Sequence, residues 1–162
     1  MKLNKIIVIV VVMAVVAFFL MPGKYKKSIY FQGQDYEYAY SDSTGDIKNY
    51  FYTVLAVDPG KASAFIQLVV FNDDANDDYV LAIYNQVRST YKLKSLYRND
   101  NKLFGKMDDS VYVYAHKDDI SRTKSIAIYT VIDGSKMSEA KAKSKKYLSE
   151  LQLVQQQLIN EK

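Results

Sequence analysis

The sequence predicts an α+β fold. An N-terminal transmembrane helix is followed by a mostly antiparallel sheet of about six to seven strands, with one mid-chain helix and one long C-terminal helix. Three observations lead there. An unbroken apolar run opens the chain, alternating segments between turn signals fill its middle, and a helical apolar stripe closes it.

Residues 6–21 are 16 consecutive apolar residues, from Ile6 through Val10 and Phe18 to Met21, with Lys5 before them and Lys24 just beyond. With Pro22 and Gly23 the uncharged stretch would span about 27 Å as a helix, enough for a thin bilayer if the flanking lysines snorkel. A cleaved signal has a shorter apolar segment of about 7–15 residues and small residues at its exit. The best cut here, after Ala17, would leave Phe18-Phe19-Leu20-Met21 at the new terminus. The reading is therefore an uncleaved anchor at 1–27, with the basic lead inside and a single α+β domain at 28–162 outside. If the segment is cleaved, the domain is periplasmic or secreted.

Charge follows the same division. The chain has 22 Lys and Arg against 18 Asp and Glu. Lys2, Lys5, Lys24, Lys26 and Lys27 supply five of the basic residues with no acid beside them, so 17 basic face 18 acidic residues over 28–162, a net of −1. A nucleic-acid domain carries its basic excess on the folded part, so no nucleic-acid partner is expected.

Along the domain, Tyr36, Tyr38 and Tyr40 alternate as on one strand face, and the polar SDSTGD at 41–46 breaks the pattern. IKNYFYTVLAV at 47–57 reads as a strand, Asp58-Pro59-Gly60 as a turn, and ASAFIQLVVF at 62–71 as a buried central strand. Val80, Tyr84, Val87 and Tyr91 then recur at helical spacing behind the acids of NDDANDD, which predicts a helix over 77–91. KLKSLYR and KLFGKM flank a turn at 99–101. SVYVYAH and KSIAIYTVI form a hairpin across KDDISRT, with Val111, Val113 and Ala115 on one side and Tyr112, Tyr114 and His116 on the other. Ser135 is placed as the N-cap of a helix over 135–159 with the stripe Met137, Ala140, Ser144, Tyr147, Leu151, Val154 and Leu158. That stripe suits packing across the sheet, with a short coiled coil as the alternative.

Several chemistries lack their parts. There is no cysteine, so no disulfide, thiolate metal site or Cys nucleophile. His116 is the single histidine, read as a surface or edge residue, and no G-x-S-x-G surrounds a serine. Asp74, Asn76 and Asp78 begin an EF-hand-like spacing, but Tyr79 and Asn85 stand where glycine and glutamate are needed. No metal and no cofactor is expected.

The 15 tyrosines are the best functional signal. If Tyr36, Tyr38, Tyr40, Tyr112, Tyr114 and His116 face outward, they form an aromatic platform of the composition favoured at protein interfaces. If they point inward they are core. The lysines at 136, 141, 143, 145 and 146 form the wet face of the last helix, with anionic lipid or an acidic partner as a lesser use. The functional expectation is a single-pass, non-catalytic protein-binding domain in the cell (inner) membrane, facing the periplasm or exterior. It would be an envelope-complex subunit or an immunity-type toxin inhibitor. Two other readings are a carboxylate-based hydrolase of envelope glycan and a structural protein that self-associates through the 135–159 helix.

Overall fold

The computed structural model describes residues 25, 27–107, 110–118 and 123–160. The expected anchor residues Ile6, Val10, Phe18, Met21 and Lys24 lie outside them, as do Asp108, Asp109 and Asp119 of the expected turns. Among the described residues no helix is long and apolar enough to cross a membrane.

Strands β1 (Ile29–Phe31), β2 (Gln34–Thr44), β3 (Ile47–Thr53) and β4 (Ala64–Phe71) form a meander. Helix α1 (Asp77–Thr90) carries the chain to the far edge, where β5 (Ser95–Arg98), β6 (Lys102–Lys106), β7 (Val111–Asp118) and β8 (Ser125–Ile132) run back to the centre. Helix α2 (Met137–Asn160) completes the order. The result is one eight-stranded sheet, β1-β2-β3-β4-β8-β7-β6-β5, antiparallel at every pair. One plan is used twice, a four-stranded meander followed by a helix, although no sequence repeat announces it.

Local chemistry explains most boundaries. Gln32 and Gly33 take positive φ values of 53° and 80°, as a two-residue hairpin turn requires, and this separates β1 from β2 and adds a strand to the expected number. The break expected over 41–46 narrows to Gly45 and Asp46, because β2 continues to Thr44. Its polar end needs no apolar face, since its side chains there are exposed and its backbone pairs with β3. The third strand stops at Thr53 rather than 57, where Leu55 and Ala56 turn into the left-handed region. Asn76 caps α1 by accepting from the Tyr79 N–H at 2.7 Å, and Asp77 and Asp78 occupy the first turn. Ser135 does not cap α2: its N–H and hydroxyl both donate to Asp133, and the Lys136 carbonyl accepts from Glu139 and Ala140.

The two helices lie on opposite faces of the sheet. Val80, Tyr84 and Val87 of α1 cover Val69, Ile126, Ile128, Val113 and Ala115. Ala140, Leu148, Leu151, Val154 and Leu158 of α2 cover Tyr36, Tyr52, Ile66, Leu68, Tyr112, Tyr114 and Tyr129. Strands β7 and β8, and β4 from Leu68 onward, are thus buried on both faces, which is why 64–71 is apolar but for Gln67. The stripe on α2 is spent inside the chain; of its large apolar side chains only Leu153 is well exposed.

The tyrosine-rich core has a consequence for alkaline stability. Burial pushes the hydroxyls of Tyr36, Tyr52, Tyr114 and Tyr129 above the ordinary value of 10.0, and that of Tyr91 up to about 12. A raised phenol holds its proton in the folded chain after the unfolded chain has lost it. Stability is therefore fully present below about pH 10 and falls as pH rises, over 10 to about 12 for Tyr91. Tyrosinate absorbance against pH should show exposed tyrosines ionising near pH 10 and the buried ones only together with loss of circular dichroism. One transition of all 15 tyrosines near pH 10, with the fold intact, would contradict the burial.

Candidate partner-binding surface

Four of the six expected platform residues are interior. Tyr36, Tyr112 and Tyr114 lie beneath α2, and Phe104 stacks on Tyr114 with 4.9 Å between ring centroids. His116 is no edge histidine: it is 3% exposed. Its Nδ1–H donates to the Gln155 side-chain carbonyl at 2.7 Å, and the Gln155 amide donates to Ser125 Oγ at 2.7 Å. Helix α2 crosses the end of β7 and seals what the neighbouring charged residues suggest is surface. For Tyr36, Tyr112 and Tyr114 the inward alternative holds, and the reading of His116 as a surface or edge residue is corrected.

Tyr36, Tyr38 and Tyr40 do not share one face either. Tyr38 opposes Tyr52 and Tyr40 opposes Phe51, so Ala39 is the extra residue of a β-bulge. One extra residue in a period-two strand turns everything after it over. Tyr36 is buried and Tyr38 half-buried on the α2 side, while Tyr40 emerges on the other.

There Tyr40 meets a different set of partners. Its ring stacks on Phe51 at 4.6 Å and 19°, and Phe51 lies 6.4 Å from Phe65. Helix α1 covers the β4–β8–β7 part of this face and leaves the part made by β2 and β3 open. Tyr40 is 42% exposed, and Phe51 and Phe65 are half-buried. Beside them rises the turn Val54–Ala56, in which Leu55 is 77% exposed at a φ of 64°. A bulky residue in the left-handed region is strained, and here the strain holds an apolar side chain out in water. Val57, also exposed, is tied back through its carbonyl, which accepts from Thr53 Oγ1 at 2.7 Å.

A polar chain borders this patch. Tyr91 Oη donates to Gln67 at 2.7 Å, Gln67 to Asn49 at 3.1 Å, and Asn49 to Asp42 at 2.7 Å, linking the end of α1 across three strands. Carboxylates complete the rim. The Tyr40 hydroxyl is held above its ordinary value first by partial desolvation and then by the charges of Asp42 and Asp58. The surface has an apolar, aromatic centre and an acidic margin.

No family model, curated protein or solved structure matches this chain.

The patch therefore rests on geometry. Sequence reasoning names Tyr40 but misses Phe51, Phe65, Leu55 and Val57. Strand alternation alone sets Phe51 opposite Tyr50 and Tyr52, a signal that was legible. The bulge and the left-handed turn carry no such mark. Among the described residues no cluster of three or more His, Cys, Asp or Glu could hold a metal.

Proposed function

We propose that this chain is a single-pass, membrane-anchored, non-catalytic protein-binding domain facing the periplasm or cell exterior. It would act as an envelope-complex subunit or an immunity-type inhibitor of a toxin. The carrying observation is the open aromatic patch of Tyr40, Phe51 and Phe65 with the strained Leu55 at its side. Aromatic side chains at the centre of a surface and charged groups at its rim are the usual anatomy of a protein interface. The rim carboxylates Asp42 and Asp58 select a partner with an apolar centre and a basic border. The apolar run at 6–21 and its flanking lysines support the membrane attachment.

The test uses the intact protein, tagged at Lys162 and captured with its partners from its own membranes after cross-linking. Leu55→Asp, on an exposed turn, and the pair Tyr40→Ser with Phe51→Ser each remove part of the patch. Loss of a central interface anchor costs about 2 kcal/mol or more, roughly thirtyfold in affinity. Either variant should therefore lose the captured partner while Leu153→Asp, on the far face of α2, keeps it. Equal capture by all of them would sink the assignment of this surface. A reporter fused after Lys162 checks placement, and a cytoplasmic signal would reverse it.

A further inference from the structure

The lysines of α2 divide into two sets. Lys143 pairs with Asp133 at 3.2 Å and Lys146 with Glu150 at 3.7 Å. Lys141 and Lys145 have no ion-pair partner among the described residues, and neither has Lys102 on β6. These three line one cavity of about 300 Å³ between the first half of α2 and the β5–β6 hairpin.

The cavity is a built feature of the fold. Lys141, Ser144, Lys145 and Leu148 follow the spacing that places four residues on one helix face, and all four line it. Ser144 and Leu148 are buried and make its floor, while the half-exposed ring of Tyr97 supplies an aromatic wall. Asn99 sits at the hairpin turn, where its side-chain oxygen accepts from the N–H groups of Asn101 at 3.2 Å and Lys102 at 2.7 Å. That turn fixes where Lys102 enters the strand. No acidic residue is among the lining.

Three lysines line one recess with no acidic residue among its described lining; ammonium groups brought together there would repel one another, and an anion would relieve that repulsion. Ammonium groups act as point charges toward phosphate oxygens, whereas guanidinium would be preferred for a planar carboxylate. The aromatic wall and the leucine floor favour a ligand whose anion is carried on an apolar body. We infer that this cavity binds a phosphate-bearing ligand, with its phosphate among Lys102, Lys141 and Lys145 and its apolar part against Tyr97 and Leu148. The inference is independent of the aromatic patch, which lies on the opposite face of the sheet.

Calorimetry on the full chain in neutral detergent at low salt, with phenyl phosphate, glycerol phosphate and inorganic phosphate, tests the inference. Phenyl phosphate is expected to bind tighter than inorganic phosphate by about threefold to tenfold, the worth of one aromatic contact. Tyr97→Ala should abolish that preference and leave inorganic phosphate binding in place. Glycerol phosphate carries no apolar body, so its binding more tightly than phenyl phosphate would overturn the assignment of Tyr97 and Leu148 as contacts for an apolar part of the ligand. Exchanging each cavity lysine for glutamine should weaken phosphate binding about threefold, and all three together roughly thirtyfold, as for charge-assisted contacts in partly exposed settings. The control Lys143→Gln with Lys146→Gln should bind as the parent does. Absence of binding by the parent chain overturns the inference. So does a triple variant that binds unchanged, or a control that loses as much as the triple variant.

Discussion

Tyr129→Ala is expected to remove about 3–5 kcal/mol of stability, at the upper end of large-to-small core substitutions. Tyr129 is the point where the sheet, the first hairpin and α2 meet. Its ring lies 4.7 Å from Phe31, 5.9 Å from Tyr114, 6.0 Å from Tyr147 and 6.3 Å from Tyr36. An alanine there opens a cavity that four rings from four elements cannot collapse into without leaving their own packing. For a chain of this size the loss lowers the melting temperature by roughly 10–20 °C. Tyr114→Phe is the contrasting control. The Tyr114 hydroxyl is buried with no partner among the described residues, so its removal should be neutral or gain up to about 1 kcal/mol. Denaturant unfolding of the three chains checks both. A Tyr129→Ala loss under about 1 kcal/mol would mean that the ring does not anchor the core.

Gln155→Leu is expected to cost about 2–4 kcal/mol although leucine is similar in size and more apolar. Gln155 is completely buried and joins His116 on β7 to Ser125 on β8. Leucine removes the acceptor of the His116 Nδ1–H and the donor to Ser125, and a buried polar group deprived of its partner costs about 1–3 kcal/mol. The cause is separable from packing by a double-mutant cycle. Adding Ser125→Ala to Gln155→Leu should cost less than Ser125→Ala does alone, because its partner is already gone. Strict additivity would show that the bond carries no energy.

The network shows where sequence reading stops. Gln155 falls among Gln152, Gln156 and Gln157; helical spacing from Leu151 and Leu158 puts it on the apolar stripe, but its polarity hides that it is buried and which partners it meets. His116 stands beside Lys117 and Asp118, whose charges suggest a wet strand end, yet all three are buried because α1 and α2 close over both faces of β7. The stripe on α2 was legible because its period is set by the helix itself. Ala140, Ser144, Leu151, Val154 and Leu158 of that stripe are buried, Met137 and Tyr147 are half-buried, and Leu148 beside it is buried as well. For the candidate surface the sequence supplied Tyr40 and no more. Its neighbours were hidden by the bulge at Ala39 and by the left-handed turn at Leu55 and Ala56.

The sequence by itself determined the order of the elements after residue 28 except for the split between β1 and β2, together with the β7–β8 hairpin, both helices, the absence of cysteine chemistry and the net positive charge of residues 1–27. These follow from local rules: side-chain period, turn residues and a count of charges. Only the tertiary structure decided which tyrosines are core, that β4 pairs with β8 at the centre of the sheet, and that the β2–β3 part of one face stays open. It also decided which lysines remain unpaired around the cavity beside α2. Burial depends on which distant elements come to cover a face, and a local pattern specifies that a face is apolar without specifying what will lie against it.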